Sequence, residues 1–544
     1  MSDTVTSDST QKGFLGWVER TGNRLPDPVF IFFYLIIALV AVSVICALTG
    51  VAATHPTQLT EAGEPVVVSA VSLLAPENIQ RLWVEMPATF THFHPLGYVL
   101  VVMLGAGVAE RSGLFASAIR GAVRGAPNAM LTPLVALVAM LSNHAADAGY
   151  VVMIPLAAII FASAGRHPLA GIAAAFAGVS GGFSANVAPG QLDALLFGIT
   201  ETAYNASSID AGWTVNIAGN TYFIIALLLL YLPVIWYVTD RVIEPRLGTW
   251  APGPEHAHDY GNEDDPLTPE QLKGLRMAGL AVLGVVALWA FMTLGPGTPL
   301  YLTDADYAAQ GMTAQEIATK EWFDRLGPFF RSLVAGFLVL FLAAGWAYGA
   351  AANTINNHRD LVNMMSEAMK DMGYYLVLAF AAAHFVAMFG WSNLGLISAV
   401  HGAEAIKASG LPLPIVLGLL VVLTGVLNLF VGSASAKWAL LAPVFVPMLM
   451  LLGISPEGAT AAYRVGDGAT NIITPLMVYF PLILVFAQRW QKDFGLGSLT
   501  ATMIPYSIWM LALGVLLMMV WVFLGLPLGP GAPAGIELPA AVGR

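Results

Sequence analysis

Charged residues are scarce in this chain of 544 residues, since Asp, Glu, Lys and Arg together make up 10% of it. A soluble domain carries roughly 25% charged residues, so the composition excludes an ordinary soluble protein. Cysteine is almost absent as well, because Cys46 is the only one in the sequence, and disulfides therefore play no part in the fold. The net charge is −11 without any basic cluster, so nothing indicates binding to nucleic acid.

Apolar runs, in contrast, are abundant. Hydrophobic residues make up 57% of the sequence, and its mean hydropathy is +0.73. A helix needs about 20 apolar residues to cross a bilayer, and runs of that length recur from 29–50 to 503–524. The composition therefore predicts an all-α polytopic membrane protein embedded in a lipid bilayer.

The apolar runs predict nine transmembrane helices. Two further apolar stretches, 128–164 and 412–453, are too long for one helix and are interrupted by small and polar residues. We interpret both as re-entrant helical hairpins. The predicted crossings lie at 29–50, 95–117, 168–198, 219–239, 275–295, 328–350, 373–396, 458–488 and 501–525.

The distribution of basic residues predicts the orientation of the chain. A cytoplasmic N-terminus places most of the 23 Lys and Arg residues on the cytoplasmic side, in agreement with the positive-inside rule. The predicted organisation is a cytoplasmic N-terminal segment (1–28), a first transmembrane half (29–239) with the hairpin 128–164, a cytoplasmic linker (240–274), a second transmembrane half (275–525) with the hairpin 412–453, and a C-terminal tail (526–544).

Two pairs of motifs indicate an internal repeat. DAGYVVMIP (147–155) resembles SAKWALLAP (435–443), and SGGFSANVAP (180–189) resembles VGDGATNIITP (465–475). Under the predicted topology the paired segments run in opposite directions, so the repeat has inverted topology. Many secondary transporters are built in this way, with interrupted helices that meet near the middle of the bilayer. The alternative is that the small residues only allow close helix packing.

Charged and polar side chains interrupt the last of these motifs. Arg464, Asp467 and Asn471 are spaced so that they share one helix face, and ionisable residues inside membrane segments are candidates for function. The oxygens of Asp467 and Asn471 suit a monovalent cation, and Asn428 with Gly432 at the tip of the second hairpin can supply further ligands. The alternative is a buried Arg464–Asp467 ion pair that only stabilises packing.

Further candidates lie in the first half and in the second hairpin. Asp193 follows a predicted helix break, where a carboxylate in apolar surroundings can carry a proton; alternatively, it is an interface residue at the end of its helix. Asn143 and Asp147 lie at the predicted tip of the first hairpin, and Asn186 has a counterpart in the repeat. Trp438 either stacks on the ring of a substrate or packs in the core.

Five long motifs follow one another along the chain: WVERTGNRLPDPVFIFF (17–33), SNHAADAGYVVMIPLAA (142–158), GGFSANVAPGQLDALL (181–196), GSASAKWALLAPVFVPM (432–448) and YRVGDGATNIITPLM (463–477). Together they resemble the AbgT family, the p-aminobenzoyl-glutamate transporters, and the resemblance extends over nearly the whole chain. It implies a homodimer of nine-span protomers, each with two hairpins, in a bacterial inner membrane.

The resemblance also implies a function and a set of residues. The function is secondary active transport of p-aminobenzoyl-glutamate, a folate breakdown product, coupled to a sodium or proton gradient. The alternative is proton-driven export of sulfonamide antimetabolites, and thus antibiotic resistance. No cofactor is implied, and sodium is the one bound ion. By motif position, the functional residues fall on Asp193, Ser435, Trp438, Pro456, Arg464, Asp467 and Pro475, and the sodium site on Asn428, Gly432, Asp467 and Asn471.

These residues suggest how the substrate binds. Trp438 offers a face for the aminobenzoyl ring, and Arg464 offers a bidentate partner for a carboxylate. The predicted substrate position lies between the two hairpin tips. Because members of the family run uptake and efflux on one scaffold, the resemblance does not decide the direction of transport.

Two rival classes also place polar residues in membrane helices. An intramembrane aspartyl protease needs two facing aspartates, typically with a G-x-G-D motif, whereas this chain has V-G-D-G at 465–468. An ion channel lines a continuous pore, often with four- or fivefold symmetry, rather than forming an inverted repeat with hairpins. We therefore expect a carrier without enzymatic activity.

Overall fold

The computed structural model consists mostly of helices. It describes residues 27–60, 64–123, 127–145, 149–207, 209, 212–250, 267–295, 297–318, 320 and 324–538. Most of the predicted N-terminal segment (1–28), much of the predicted linker (240–274) and the end of the predicted tail (526–544) lie outside these residues.

The first half contains both long and short helices and one pair of strands. Its elements are α1 (Pro28–Thr49), β1 (Ala52–Leu59), β2 (Pro65–Ser69), α2 (Pro76–Val84), α3 (Met86–Thr91), α4 (His94–Arg111), α5 (Leu114–Val123), α6 (Leu131–Leu141), α7 (Ile154–Ser163), α8 (Pro168–Phe176), α9 (Gln191–Ala206), α10 (Thr221–Val238) and α11 (Glu244–Leu247). Wide π-type turns extend α8 through Ala177–Gly181 and connect α10 to α11 through Thr239–Ile243.

The second half is helical in all of its regular elements within the described residues. They are α12 (Pro269–Thr293), α13 (Asp304–Ala309), α14 (Ala314–Ala318), α15 (Gly327–Ala351), α16 (His358–Asp371), α17 (Gly373–Trp391), α18 (Leu394–Ala408), α19 (Leu413–Asn428), α20 (Ala434–Met450), α21 (Pro456–Asn471), α22 (Phe480–Trp490) and α23 (Leu496–Phe523).

Several helices are suited to a bilayer. Among the described residues, 6 helices are long and apolar enough to cross a membrane, or 7 if α4 and α5, which meet at a bend of 64°, form one crossing. A total of nine requires that the interrupted pairs α8–α9 and α21–α22 each cross once. The count of nine therefore stays a prediction.

The repeat motifs lie at or directly beside helix interruptions, and SAKWALLAP (435–443) lies at the start of α20. The interruptions separate α6 from α7 and α8 from α9 in the first half, and α19 from α20 and α21 from α22 in the second. Proline removes a backbone donor and glycine loses more conformational freedom in a helix than other residues, so both favour such breaks. The stretches predicted as single crossings at 168–198 and 458–488 are therefore broken helices. The inverted orientation of the repeat stays a prediction.

Three elements differ from the expectation based on hydropathy. The crossing predicted at 373–396 ends at Trp391, because Asn393 adopts a left-handed backbone conformation (φ 60°) before α18 begins. The antiparallel pair β1–β2 follows α1 and has no clear hydropathy signal. The predicted tail packs onto the fold, where Ser455 N–H donates to Ala534 O at 2.9 Å.

Helix α21 lies at the centre of the larger hydrophobic core. Every residue from Pro456 to Thr470 is buried, and the helix packs against α9, α19, α20 and α23. A second apolar cluster joins α4, α5, α12 and α15. Because α21 carries both ionised and small residues, its neighbours must supply polar partners as well as close contacts.

Gly466 allows α19 and α21 to cross closely, and its replacement is expected to destabilise the fold. A Cβ at this position would lie 2.1 Å from Val421 O. Gly466→Ala should cost about 1–3 kcal/mol through overpacking, measured by thermal unfolding in detergent. The matched control is Gly279→Ala in α12, where nothing lies within 4 Å of the added Cβ. Equal unfolding temperatures for the two variants would contradict the close crossing.

Candidate functional site

Two oppositely charged side chains of α21 lie inside the core. Arg464 is 1% exposed and Asp467 is 0% exposed. A charge in surroundings of low dielectric is costly unless an opposite charge and hydrogen bonds compensate it. The partners of these two side chains therefore define the candidate site.

Arg464 is paired with Asp193 of α9. Its Nη1 donates to Asp193 Oδ1 at 2.7 Å, across 271 positions of sequence. The other carboxylate oxygen, Oδ2, accepts from the backbone N–H of Gly190 at 2.8 Å, at the N-terminus of α9. The positive end of the helix dipole favours a carboxylate at this place. Asp193 therefore stabilises the start of α9 and compensates Arg464 at the same time.

Asp467 is paired with Lys437 of α20, which is itself 1% exposed. The Lys437 Nζ also donates to Asn428 Oδ1 at 2.5 Å and to Val431 O at 3.4 Å. Asn428 Nδ2 donates in turn to the backbone oxygen of Asp467 at 2.8 Å and to Thr470 Oγ1 at 3.0 Å. We call these five residues the lysine cluster. It joins the pair α19–α20 to the middle of α21.

A layer of aromatic and hydroxyl groups links α9, α20 and α21. Trp438 stacks on Tyr463 with ring centroids 4.5 Å apart, and its Nε1 donates to Thr200 Oγ1 at 2.9 Å. Thr200 Oγ1 and Thr460 Oγ1 are 2.8 Å apart. Trp438 is 0% exposed, so in this structure it belongs to the core.

A small cavity lies beside the Arg464–Asp193 pair. Among its lining residues are Asn216 and Glu457. Glu457 accepts from Trp213 Nε1 at 3.0 Å and from the backbone N–H of Asn216 at 2.9 Å. Apolar side chains, Leu196 and Phe197 among them, also line it, so the cavity combines apolar walls with a few polar groups, as small-molecule sites generally do.

Sequence reasoning misses Glu457. A glutamate directly after a helix-initiating proline resembles any acidic residue in the first turn of a helix, where the dipole favours it. Only the folded chain shows that Glu457 is buried beside Arg464 and receives donors from the segment before α10.

Two of the asparagines predicted from the first half meet at one carbonyl. Asn143 Nδ2 and Asn186 Nδ2 both donate to Met140 O, at 2.9 and 3.4 Å. Asn186 thereby joins the break between α8 and α9 to the end of α6, whereas the bond of Asn143 lies within its own turn. Asp147 lies outside the described residues.

Two of the residues predicted to bind sodium are members of the lysine cluster, and the other two each follow a member of it in sequence: Gly432 follows Val431, and Asn471 follows Thr470. Asn428 and Asp467 meet in the lysine cluster, whereas Gly432 packs against the break after α21, because a Cβ there would lie 2.4 Å from Leu476 O. Asn471 is the last residue of α21. The carboxylate and amide oxygens that were expected to face a sodium ion face the Lys437 ammonium instead.

The remaining predicted residues lie at helix ends and breaks. Ser435 is in the first turn of α20 and lines a small, mostly apolar cavity between α9, α17 and α20. Pro456 begins α21, and Pro475 belongs to the break between α21 and α22.

The alternative pairing of Arg464 with Asp467 is wrong. Residues three apart on a helix can form an ion pair, but here each side chain pairs with a different neighbouring helix. Arg464 binds Asp193, and Asp467 binds Lys437. Sequence reasoning also misses Lys437, although a lysine within the apolar stretch 412–453 is a signal that could identify it.

Comparison with known proteins identifies the family. The profile of the AbgT putative transporter family matches residues 13–536. The chain belongs to this family. It is a membrane transporter for a small molecule and not an enzyme.

Relatives of this AbgT transporter match it along almost their whole length. The p-aminobenzoyl-glutamate transport protein of Escherichia coli (strain K12) is 36% identical over 536 residues, which are 98% of this chain and 99% of that protein. The YdaH transporter of Alcanivorax borkumensis is 41% identical with a TM-score of 0.82, over 93% of this chain and 100% of its own. MtrF of Neisseria gonorrhoeae belongs to a class of antimetabolite efflux pumps. It is 38% identical with a TM-score of 0.83, over 96% of this chain and 100% of its own.

Removal of one member of the Arg464–Asp193 pair is expected to harm the AbgT transporter more than removal of both. Arg464→Met or Asp193→Ala alone leaves an uncompensated buried charge, which typically costs about 3–5 kcal/mol. The double variant should recover at least half of that loss in thermal unfolding experiments. The matched control is Arg325→Met, because Arg325 lies 2.7 Å from an exposed Asp304 and surface pairs contribute about 0–1 kcal/mol. Additive losses in the double variant would contradict the pairing.

Proposed function

We propose that this AbgT transporter carries p-aminobenzoyl-glutamate across the bacterial inner membrane, driven by a proton or sodium gradient. The observation that carries the proposal is a buried guanidinium, that of Arg464, beside a cavity lined by both polar and apolar groups. Arginine binds carboxylates with two parallel hydrogen bonds, and the proposed substrate has two carboxylates. The name of the Escherichia coli relative supports the same substrate.

Substrate binding requires the site to open. The cavity beside Arg464 has room for only about one water molecule, far less than the roughly 300–1,000 Å³ of most ligand pockets. One face of Trp438 is covered by Tyr463. Because Trp438 is also 0% exposed, the aminobenzoyl ring can stack on it only after the packing around Trp438 opens. We infer that α9 and α21 move apart when substrate enters.

Asp193 competes with the substrate for Arg464. In the structure it holds Arg464 Nη1, which a substrate carboxylate would need. Protonation of Asp193 removes its charge and weakens this contact, so that the guanidinium becomes available to an anionic substrate. This competition links the uptake of one proton to the binding of one carboxylate, and it gives Asp193 the role of the proton-coupling residue.

Asp193→Asn should flatten the dependence of transport rate on pH, because the amide mimics the protonated carboxylic acid at every pH. The measurement is initial uptake of labelled p-aminobenzoyl-glutamate into proteoliposomes between pH 5 and 8. Asp304→Asn, at an exposed position, is the control and should keep the wild-type profile. A wild-type profile in Asp193→Asn would assign Asp193 a purely structural role.

A second candidate function is proton-driven export of sulfonamide antimetabolites. Its support is the similarity to MtrF and its class of antimetabolite efflux pumps. Sulfonamides share the aminophenyl ring of p-aminobenzoyl-glutamate but lack the glutamate carboxylates. The two functions therefore differ in their need for Arg464.

Transport of labelled p-aminobenzoyl-glutamate and sulfamethazine in proteoliposomes, under imposed sodium or proton gradients, separates these functions. Saturable uptake that follows a gradient would support a carrier for the transported compound. Flux of p-aminobenzoyl-glutamate that neither saturates nor follows a gradient would contradict the proposed function.

Arg464→Lys should weaken binding of p-aminobenzoyl-glutamate far more than binding of sulfamethazine, because lysine keeps the charge but loses the bidentate geometry. Trp438→Ala should weaken both ligands, by about 1.5 kcal/mol or more, whereas Trp438→Phe keeps a ring and should cost about 1 kcal/mol or less. The measurement is ligand binding by calorimetry. Equal losses for both ligands in Arg464→Lys would show that Arg464 contacts Asp193 only.

We further propose that the transporter is a homodimer with its N-terminus in the cytoplasm. The exposed apolar side chains of α1, α12 and α23 suit contact with lipid or with a second protomer.

Light scattering of the detergent-solubilised protein should give twice the mass of one chain. A monomeric mass would contradict the dimer, and labelling of an N-terminal tag from outside intact cells would contradict the orientation.

A further inference from the structure

The lysine cluster presents three oxygen atoms to one cation. They are Asp467 Oδ1, Asn428 Oδ1 and Val431 O, and each of them contacts the Lys437 Nζ. A carboxylate, an amide carbonyl and a backbone carbonyl are the oxygen donors that hard cations prefer in proteins. The cluster therefore has the chemistry of a monovalent cation site, with an ammonium group at its centre.

The buried surroundings of the lysine cluster disfavour a second positive charge beside Lys437. Lys437 and Asp467 are each 1% exposed at the side chain, and the Lys437 Nζ lies 5.8 Å from the centroid of the Tyr463 ring. In surroundings of low dielectric, two cations that share one carboxylate repel each other strongly. A sodium ion can bind these oxygens only after the ammonium has left them.

The partners of Asp467 leave part of its binding capacity unused. Asp467 Oδ2 is buried and has no hydrogen-bond partner among the described residues, while Oδ1 contacts Lys437. An ammonium on a side chain is limited by its tether, and here it reaches one of the two carboxylate oxygens. A free ion without a tether has no such limit.

We propose that Lys437 is a tethered cation that occupies the predicted sodium site, so that Lys437 and sodium exclude each other. Lys437 lies in the first turn of α20, directly after the tip of the pair α19–α20. Withdrawal of its ammonium therefore requires movement of this tip or a new side-chain conformation. Occupancy of the site by sodium is thus coupled to the position of the tip. This coupling assumes the proposed transport function, whereas the exclusion itself does not.

The test is the thermal stability of the purified protein without substrate, in sodium chloride and in choline chloride at equal ionic strength. Lys437→Met and Lys437→Gln remove the ammonium and should acquire a stabilisation that is specific for sodium. Sodium that binds only the folded state raises its stability, so the stability reports binding. The half-saturating sodium concentration of these variants should be at least tenfold lower than that of the wild type, because no ammonium competes for the oxygens. Lys437→Arg keeps a cation and should resemble the wild type.

The control is Lys407→Met, which removes an exposed lysine of α18 and should leave the response to sodium unchanged. Lys437→Met and Lys437→Gln leave the charge of Asp467 unpaired, which can prevent folding. Both variants are therefore purified in each salt. Recovery of folded protein in sodium but not in choline also supports the proposal. Equal recovery and equal stability in the two salts would overturn it, as would a wild-type response equal to that of the neutral variants. Absence of p-aminobenzoyl-glutamate transport would overturn the proposed function without affecting this result.

Discussion

The arrangement of this transporter depends on the cost of a charge in surroundings of low dielectric. Helix α21 carries Arg464 and Asp467 within a fully buried segment, and an uncompensated charge there would cost several kcal/mol. Asp193 and Lys437 supply the compensation from two different elements, α9 and α20. These two ion pairs therefore hold α9 and α20 against α21, and small residues such as Gly466 allow α19 to approach it closely.

Each ion pair also resembles a ligand complex. Asp193 presents to Arg464 the same carboxylate group that a substrate would present, and Lys437 presents to Asp467 the same positive charge that sodium would present. If both internal partners are displaced by ligands, the charges of α21 stay compensated while α9 and the tip between α19 and α20 are released. The helix breaks provide the places where such movement needs least change in backbone hydrogen bonding. In this view the resting structure and the loaded structure have similar electrostatic energies, which is what a reversible carrier requires.

Much of the architecture follows from the sequence, because a bilayer restricts the choice of structure. Apolar runs of about 20 residues predict membrane helices, and interruptions by Gly, Pro and Asn predict breaks in them. The family follows from five motifs in order, since it is identified by local residues such as those around Asp467. The sequence also indicates that Arg464, Asp467 and Asp193 matter, because ionised side chains are rare and costly in membrane segments.

The pairing of those charges was decided by the tertiary structure alone. Arg464 meets Asp193 across 271 positions of sequence, and no spacing rule selects that carboxylate over Asp467, which is three residues away. Lys437 and Glu457 gain their importance only through burial beside these charges, which depends on how α9, α20 and α21 pack. By itself, the sequence determined that the chain is mostly helical, that several of its helices are apolar enough for a membrane, and which family it belongs to, because these depend on local composition. The partners of each charge depend on which helices meet, and only the folded chain decides this.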